Sequence, residues 1–376
     1  MINKKAHFLT AMLAGALAFG ILFVACENPS SNDPEPEVNS ELYELMMNIG
    51  YSPKFTQGTH VQLDWDPVPQ EVADNDQPYS AAATVPNATG HLQGMIRDND
   101  GNFWASTVYV TTSTSGSNFQ TDYPEEWALG MDRTPGKGVG YVVCFGPDGK
   151  EIKRVKVGEG NAYHPGGIDF DGTYIWVPAA EYRPNSSSIL YRVDPTAPVE
   201  TAAVEVLRVP DHVGGLLHDQ KNHTLIGNTW GSRRFYTWPL NSAGLVDKTS
   251  YTREELAQLK VLNRNAYVDY QDNMYVGNGK MIASGISGDV GGIDVIDCAT
   301  GNIESTNRIV TFVSNGTVLG GSGPGAKLCQ NPFWLEVNPN DESKINAYFA
   351  PEDDVTWLYV FEAEPSNHRN ASIVGK

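Results

Sequence analysis

The feature that most constrains this chain is a strand–turn–strand unit that recurs five times, opening at positions 91, 164, 212, 267 and 333. Its second copy is the clearest. From His164 to Pro195 it reads HPGGIDFDGTYIWVPAAEYRPNSSSILYRVDP, with short apolar runs separated by DG and by a polar loop. Aromatic and β-branched runs bounded by Gly, Pro, Asn and Asp have the composition of strands joined by tight hairpins. Successive starts are 73, 48, 55 and 66 residues apart. A propeller blade repeats at about 40–50 residues, so the longer intervals require insertions. Thr111 to Gly138 supplies one, and GTVLGGSGPGAKLCQN another. The predicted fold is all-β, a β-propeller of five four-stranded blades. The fifth unit offers only three strands. HVQLDWD, from His60 to Asp66, is the spare strand and is predicted to complete the last blade and close the ring. Closure removes a free sheet edge. Six or seven blades with degenerate units, or a β-sandwich, are the alternatives.

The N-terminal segment sets the expected address. Lys4 and Lys5 precede an uncharged run from Phe8 to Ala25, and Cys26 follows at once. A basic start, an apolar stretch and small residues before a cleavage point describe a secretory leader. The cysteine in the next position resembles the lipobox of bacterial lipoproteins. Phe23 stands where that pattern has Leu, with Leu22 one residue earlier. The expectation is a leader over 1–25, lipidation of Cys26 and a membrane anchor at the bacterial cell envelope, on the periplasmic or extracellular face. The alternative is a plain signal anchor. Residues 26–40 are rich in Pro, Glu, Ser and Asn and read as a disordered tether. Residues 41–376 read as a single domain, expected to be monomeric. Within it, Leu42, Leu45, Met46 and Ile49 fall at helical spacing.

The formal net charge of −19 argues against nucleic acid, whose phosphates such a chain repels. Three cysteines follow Cys26. Cys144, inside VVCF, reads as a core residue, and Cys298–Cys329 is a candidate disulfide. The DNDGN of Asp98–Asn102 lacks the distant Glu of an EF-hand and reads as a hairpin turn.

Candidate chemistry follows from the repeat. In a four-stranded blade the starts of the first strands and the loops after the second strands share one face. His91, His164 and His212, each opening an H-x-x-G unit, therefore meet at one mouth of the channel. Their glycines fit positions where first strands crowd together. Three imidazoles from separate strands can ligate a divalent metal, act as acid–base groups, or serve only to brace neighbouring blades. Glu181 joins them as a candidate catalytic group. Arg183, Arg233 and Arg234 are candidate clamps for an anion. Tyr182 and Trp230 are candidate stacking surfaces, and Asp269 lies just inside the mouth.

The segments HPGGIDFDGTYIWVPAAEYRPNSSSILYRVDP, DHVGGLLHD and WGSRRFYTWPL resemble an uncharacterised family of secreted propeller-like proteins of bacteria and fungi. The resemblance implies the fold and no activity. The architecture is also similar, more loosely, to gluconolactonase-like propellers, which hold a divalent metal in the channel through Glu, Asn and Asp. Histidines stand at the corresponding positions here, so that metal triad does not transfer. Two functions remain open beside a scaffolding role. One is capture of a small polar or anionic ligand, such as a carbohydrate or cell-wall fragment. The other is a hydrolase or lyase built on the histidines, with or without metal.

Overall fold

A computed structural model describes residues 39–48, 55–63, 89–112 and 134–363, apart from positions 266 and 322. The leader, Cys26 and the tether up to residue 38 lie outside the described residues, as do Ile49, Asp64–Asp66 and most of the Thr111–Gly138 insertion; Ser40, expected to end the tether, opens a helix instead. Among the described residues no helix is long and apolar enough to cross a membrane.

The fold is all-β and propeller-like. A short helix, α1 (Ser40–Asn48), buries Leu42 and Met46 in the main core. The strand β1 (Phe55–Gln62) follows, and its partner comes from the far end of the chain. The next sheet is β2 (His91–Arg97), β3 (Phe103–Thr112), β4 (Lys137–Phe145) and β5 (Glu151–Val157). A second has a first strand in two pieces, β6 (Ala162–Pro165) and β7 (Asp169–Phe170), then β8 (Ile175–Glu181), β9 (Ser188–Val193) and β10 (Ala203–Val209). The third is β11 (Val213–Asp219), β12 (Thr224–Thr229), β13 (Arg234–Pro239) and β14 (Val261–Leu262). The fourth is β15 (Asp269–Gly277), β16 (Lys280–Ser287), β17 (Val290–Asp297) and β18 (Asn302–Ile309). A small sheet of β19 (Phe312–Ser314), β20 (Thr317–Gly320) and β21 (Ala326–Lys327) is inserted next. The last large sheet is β22 (Phe333–Val337), β23 (Ile345–Phe349) and β24 (Trp357–Ala363), completed by β1. All the strand pairs are antiparallel.

The sequence explains this layering. The first three strands of a sheet are packed on both faces, so β3 reads FWASTVYV and is buried throughout that run. The fourth strands read EIKRVKV, AVEVLRV and NIESTNRI, and Lys156, Glu205, Arg208, Glu304 and Arg308 on them are exposed. Charges on these edges discourage further strand addition. Hairpin turns are fixed by aspartates. Asp98 accepts from the N–H of Asp100 and Asn102 and from Trp104 Nε1 at 2.9 Å, which makes DNDGN a hairpin turn. Asp171 does the same for Thr173, Tyr174 and Trp176.

Neighbouring sheets meet through their first strands. Gly167 N–H donates to Gly214 C=O at 2.8 Å, a parallel bridge between two sheets. A Cβ on Gly166 would lie 2.1 Å from that same carbonyl oxygen, so no larger residue fits. Deeper in, Asp272 of β15 ties four segments together. Its carboxylate accepts from Met95 N (3.0 Å), Ile168 N (3.2 Å), Phe333 N (3.1 Å) and Asn273 N (2.9 Å). Burial pushes this carboxyl up, and the four N–H donors oppose that rise.

Four expectations need correction. The closing strand runs from Phe55 to Gln62, earlier than His60–Asp66, because its pairing with β24 places Phe55 opposite Ala363. The third unit ends in α2 (Arg253–Leu259) and a two-residue β14, not a full fourth strand. A capping box starts that helix: Thr252 Oγ1 accepts from Glu255 N, and the Glu255 carboxylate accepts from Thr252 N. The GTVLGGSGPGAKLCQN insertion is partly strand. Cys298 and Cys329 are both buried free thiols, each packed in its own core rather than bridged, and Cys144 is a third.

Candidate functional site

His91 opens β2, His164 lies in β6, and His212 immediately precedes β11. The structure brings all three to one cavity of about 250 Å³. His164 is central. Its ring centroid is 6.0 Å from that of His91 and 6.4 Å from that of His212. Tyr182 stacks on it, with centroids 4.4 Å apart and planes 13° from parallel. Trp230 stands edge-on to His212 at 4.7 Å and completes the aromatic wall. The turn carrying Trp230 bends sharply, with left-handed φ at both Gly231 (63°) and the buried Ser232 (49°). A non-glycine residue in that region stores strain of order 1–3 kcal/mol, of the kind found at ligand-binding loops.

The three imidazoles are shifted in different directions. His91 Nδ1 is 2.8 Å from Asp353 Oδ1. Burial pulls the His91 pKa down, but the Asp353 and Asp354 carboxylates outweigh it and raise the value above 6.5. Burial likewise works against the Asp353 carboxylate, yet His91 and Asn331 hold its pKa below the usual range. His212 is pushed down to about 4 by burial. Its Nδ1 donates to Glu181 C=O at 2.8 Å. A carbonyl only accepts, so the neutral ring carries its proton on Nδ1 and leaves Nε2 as an acceptor. His164 is lowered well below 6.5, by burial and then by its two histidine neighbours. The His91 pKa thus moves up while those of His164 and His212 move down within one cavity.

His164 is 4% exposed, and neither ring nitrogen has a hydrogen-bond partner. Asn331 uses its amide N–H to reach Asp353 (2.8 Å) and Pro351 C=O (3.1 Å), leaving Oδ1 unpartnered. Thr229 Oγ1 is unpartnered as well. Buried polar atoms are ordinarily satisfied, so a set of orphans around one cavity marks where water or a ligand belongs.

The other expected site residues divide. Tyr182, Trp230 and Asp269 line the cavity with the histidines. Glu181 and Arg183 do not: their side chains pair with each other at 2.6 Å, and Glu181 also accepts from Ser187. Arg234 turns away into a buried ion pair with Asp211 at 2.9 Å. Arg233 reaches Asp269 at 3.4 Å. The anion clamp therefore does not assemble, because each arginine has a carboxylate close by: Glu181 in the loop of Arg183, Asp211 at the start of the sheet of Arg234, and Asp269 of the next sheet beside Arg233. The metal assignment also needs correction. Among the described residues no three His, Cys, Asp or Glu groups are disposed to hold a metal ion, the three histidines included. The ring centroids stand 6.0 and 6.4 Å from that of His164, and His91 Nε2 already meets the Gln93 amide at 2.5 Å. Sequence reasoning missed Gln93, Gln271, Gln330 and Asn331, the amides that line the cavity. Gln93 had a signal: it lies two residues after His91, on the same face of β2.

The model of a family of unknown function, DUF6454, matches residues 70–365. The chain belongs to that family. This agrees with the resemblance carried by the HPGG and HVGG segments, and the DUF6454 match includes all three histidines. No curated protein matches the sequence. Among solved structures, virginiamycin B lyase from Staphylococcus aureus is similar at 12% identity, over 82% of this chain and 99% of that one, with a TM-score of 0.37. A luciferin-regenerating enzyme is similar at 9% identity, over 74% and 93% of the two chains, with a TM-score of 0.38. The hydrazine synthase of Kuenenia stuttgartiensis is similar at 12% identity over 61% of this chain and 60% of that one, under two thirds of its length, with a TM-score of 0.31.

Proposed function

We propose that this DUF6454 protein is a ligand-capture module. Its five large sheets act as the blades of a closed ring, and the histidine cavity at one mouth binds a small polar ligand. The observation that carries this reading is His164: a buried ring at the centre of a cavity, with both nitrogens unpartnered. One neutral imidazole offers one donor and one acceptor, so it suits a ligand bearing both, such as a hydroxyl or an amide. Tyr182 fixes the plane of the ring, and Asn331 and Thr229 add further groups without partners. The leader and Cys26 extend the proposal to a lipid-anchored protein of the cell envelope, with residues 26–40 holding the domain off the membrane.

A second reading is favoured by one observation, the His91–Asp353 pair beside neutral His164. A proton donor and a proton acceptor 6.0 Å apart across a cavity can perform acid–base chemistry on what is bound there. Saturation-transfer NMR tests the main reading, with glycerol, acetamide, phosphate and a set of sugars as probes. At least one bound signal is expected from the native protein and none from His164→Phe of equal thermal stability. Equal signals from both proteins would sink the capture site.

A further inference from the structure

The segment 181–188 carries Tyr182 into the histidine cavity and turns Glu181, Ser187 and Ser188 toward a second hollow of about 440 Å³. The strand and segment on either side contribute to both spaces. Ala162 lines the outer hollow and His164 the inner one; Pro210 lines the outer and His212 the inner. The two spaces are thus neighbours across one loop, and both lie at the ends of the strands that carry the histidines.

Their charges share one property. In the cavity, His91 is paired with Asp353 and Asp269 with Arg233. In the outer hollow, Arg208 pairs with both Glu159 and Glu205 at 2.7 Å, and Glu181 pairs with Arg183. Each charged side chain that lines either space already has its counter-ion. An ionic ligand would have to break one of these pairs, whereas a neutral ligand would leave them intact. What remains for recognition is neutral: His164, Asn331 and Thr229 inside, with Asn161, Ser250 and Tyr251 outside.

Along β15, Asp269, Tyr270 and Gln271 line the cavity, and the next residue is Asp272, whose four backbone donors tie the first strands together. At about 250 Å³ the space falls below the roughly 300–1,000 Å³ of drug-sized sites, which limits it to a single ring-sized unit.

We infer that the cavity takes the terminal unit of a neutral, hydroxyl-rich glycan, and that the hollow outside the 181–188 loop is a second subsite for the units that follow. This rests on the capture reading and assigns its ligand class. The end sugar hydrogen-bonds to His164 against the Tyr182 and Trp230 wall. The chain then crosses the loop and lies along Asn161, Ser250 and Tyr251. A second subsite adds affinity only for oligomers, because a monomer fills the inner space alone.

Titration calorimetry on the full chain tests it, with glucose, N-acetylglucosamine and their β-1,4-linked tetramers, and with glucuronate and inorganic phosphate as charged controls. The expected result is that a tetramer binds at least tenfold more tightly than its monomer. Asn161→Ala, on an exposed turn, and Tyr251→Ala should each cut that advantage at least threefold and leave the monomer affinity unchanged. Equal affinity for monomer and tetramer would overturn the second subsite. Binding of glucuronate or phosphate but of no neutral sugar, lost in His164→Phe, would overturn the glycan while leaving capture standing. No binding by any of the six probes overturns the glycan assignment, and the broader probe set used for the capture site then decides that reading separately.

Discussion

Replacing Asp272 by Asn puts a number on the knot at the centre of the molecule. The carboxylate accepts four backbone N–H groups, two on each oxygen: Ile168 and Asn273 on Oδ1, Met95 and Phe333 on Oδ2. An asparagine keeps the shape but turns one oxygen into an NH₂, which can only donate. Either orientation strands two buried N–H groups, at about 1–3 kcal/mol each. The two bonds that survive lose their charge assistance, worth about 0.5–1.5 kcal/mol apiece. The sum is a loss of about 3–9 kcal/mol, a large part of the roughly 5–15 kcal/mol that holds a typical domain folded. Guanidinium unfolding followed by tryptophan fluorescence measures it, with the m-value as a check that the folded and unfolded states keep their compactness. A loss below about 1 kcal/mol at unchanged m would refute the reasoning. It would mean that the first strands hold one another without this carboxylate.

Other outcomes follow from the same structure. NMR titration of the histidine ring protons should find His91 titrating above 6.5, His212 near 4, and His164 neutral throughout; Asp353→Asn should lower the His91 midpoint. The two shifts act oppositely on stability. The His91 contribution is complete below pH 6.5 and is lost as pH rises through its folded value, whereas that of His212 is complete above pH 6.5 and is lost as pH falls toward 4. A His91 midpoint at or below 6.5 would refute the hold of Asp353 and Asp354 on that ring. Gly166→Ala should destabilise by about 2–3 kcal/mol in the same unfolding assay, since the added methyl meets the Gly214 carbonyl at 2.1 Å; a neutral effect would show that the two sheets do not approach so closely. Cys144, Cys298 and Cys329 should resist a thiol reagent in the folded protein and react in guanidinium without reductant. A requirement for reductant would restore the Cys298–Cys329 bridge.

Much of the architecture was legible because it repeats. Each H-x-x-G opening marks a first strand, and the count of strands in the last unit required a partner from the N-terminus, which β1 provides. The convergence of His91, His164 and His212 followed from that periodicity alone. The site's electrostatics were not legible in the same way. Whether Arg183 faces a ligand or Glu181 depends on a loop only a few residues long, where the nearer charge wins. Asp353, the partner of His91, lies 262 residues away, on the loop after the second strand of the fifth unit; the repeat puts that loop at the same mouth but does not say which histidine it meets. Asp272 gave no signal either, since its four partners are backbone groups. Helix α2 did have one, the T-x-x-E of Thr252 and Glu255, overlooked because the unit was expected to end in a strand.

The pairing of Phe55 with Ala363 has a consequence for synthesis. The last large sheet cannot finish until the ribosome has made nearly the whole polypeptide, however early its first strand emerges. A premature stop after Phe349 would leave both β1 and β23 without the neighbour each needs, at opposite ends of the surviving chain. Such a fragment would present two sticky borders to other copies, and quality-control proteases would meet it as an open fold rather than as a shortened one.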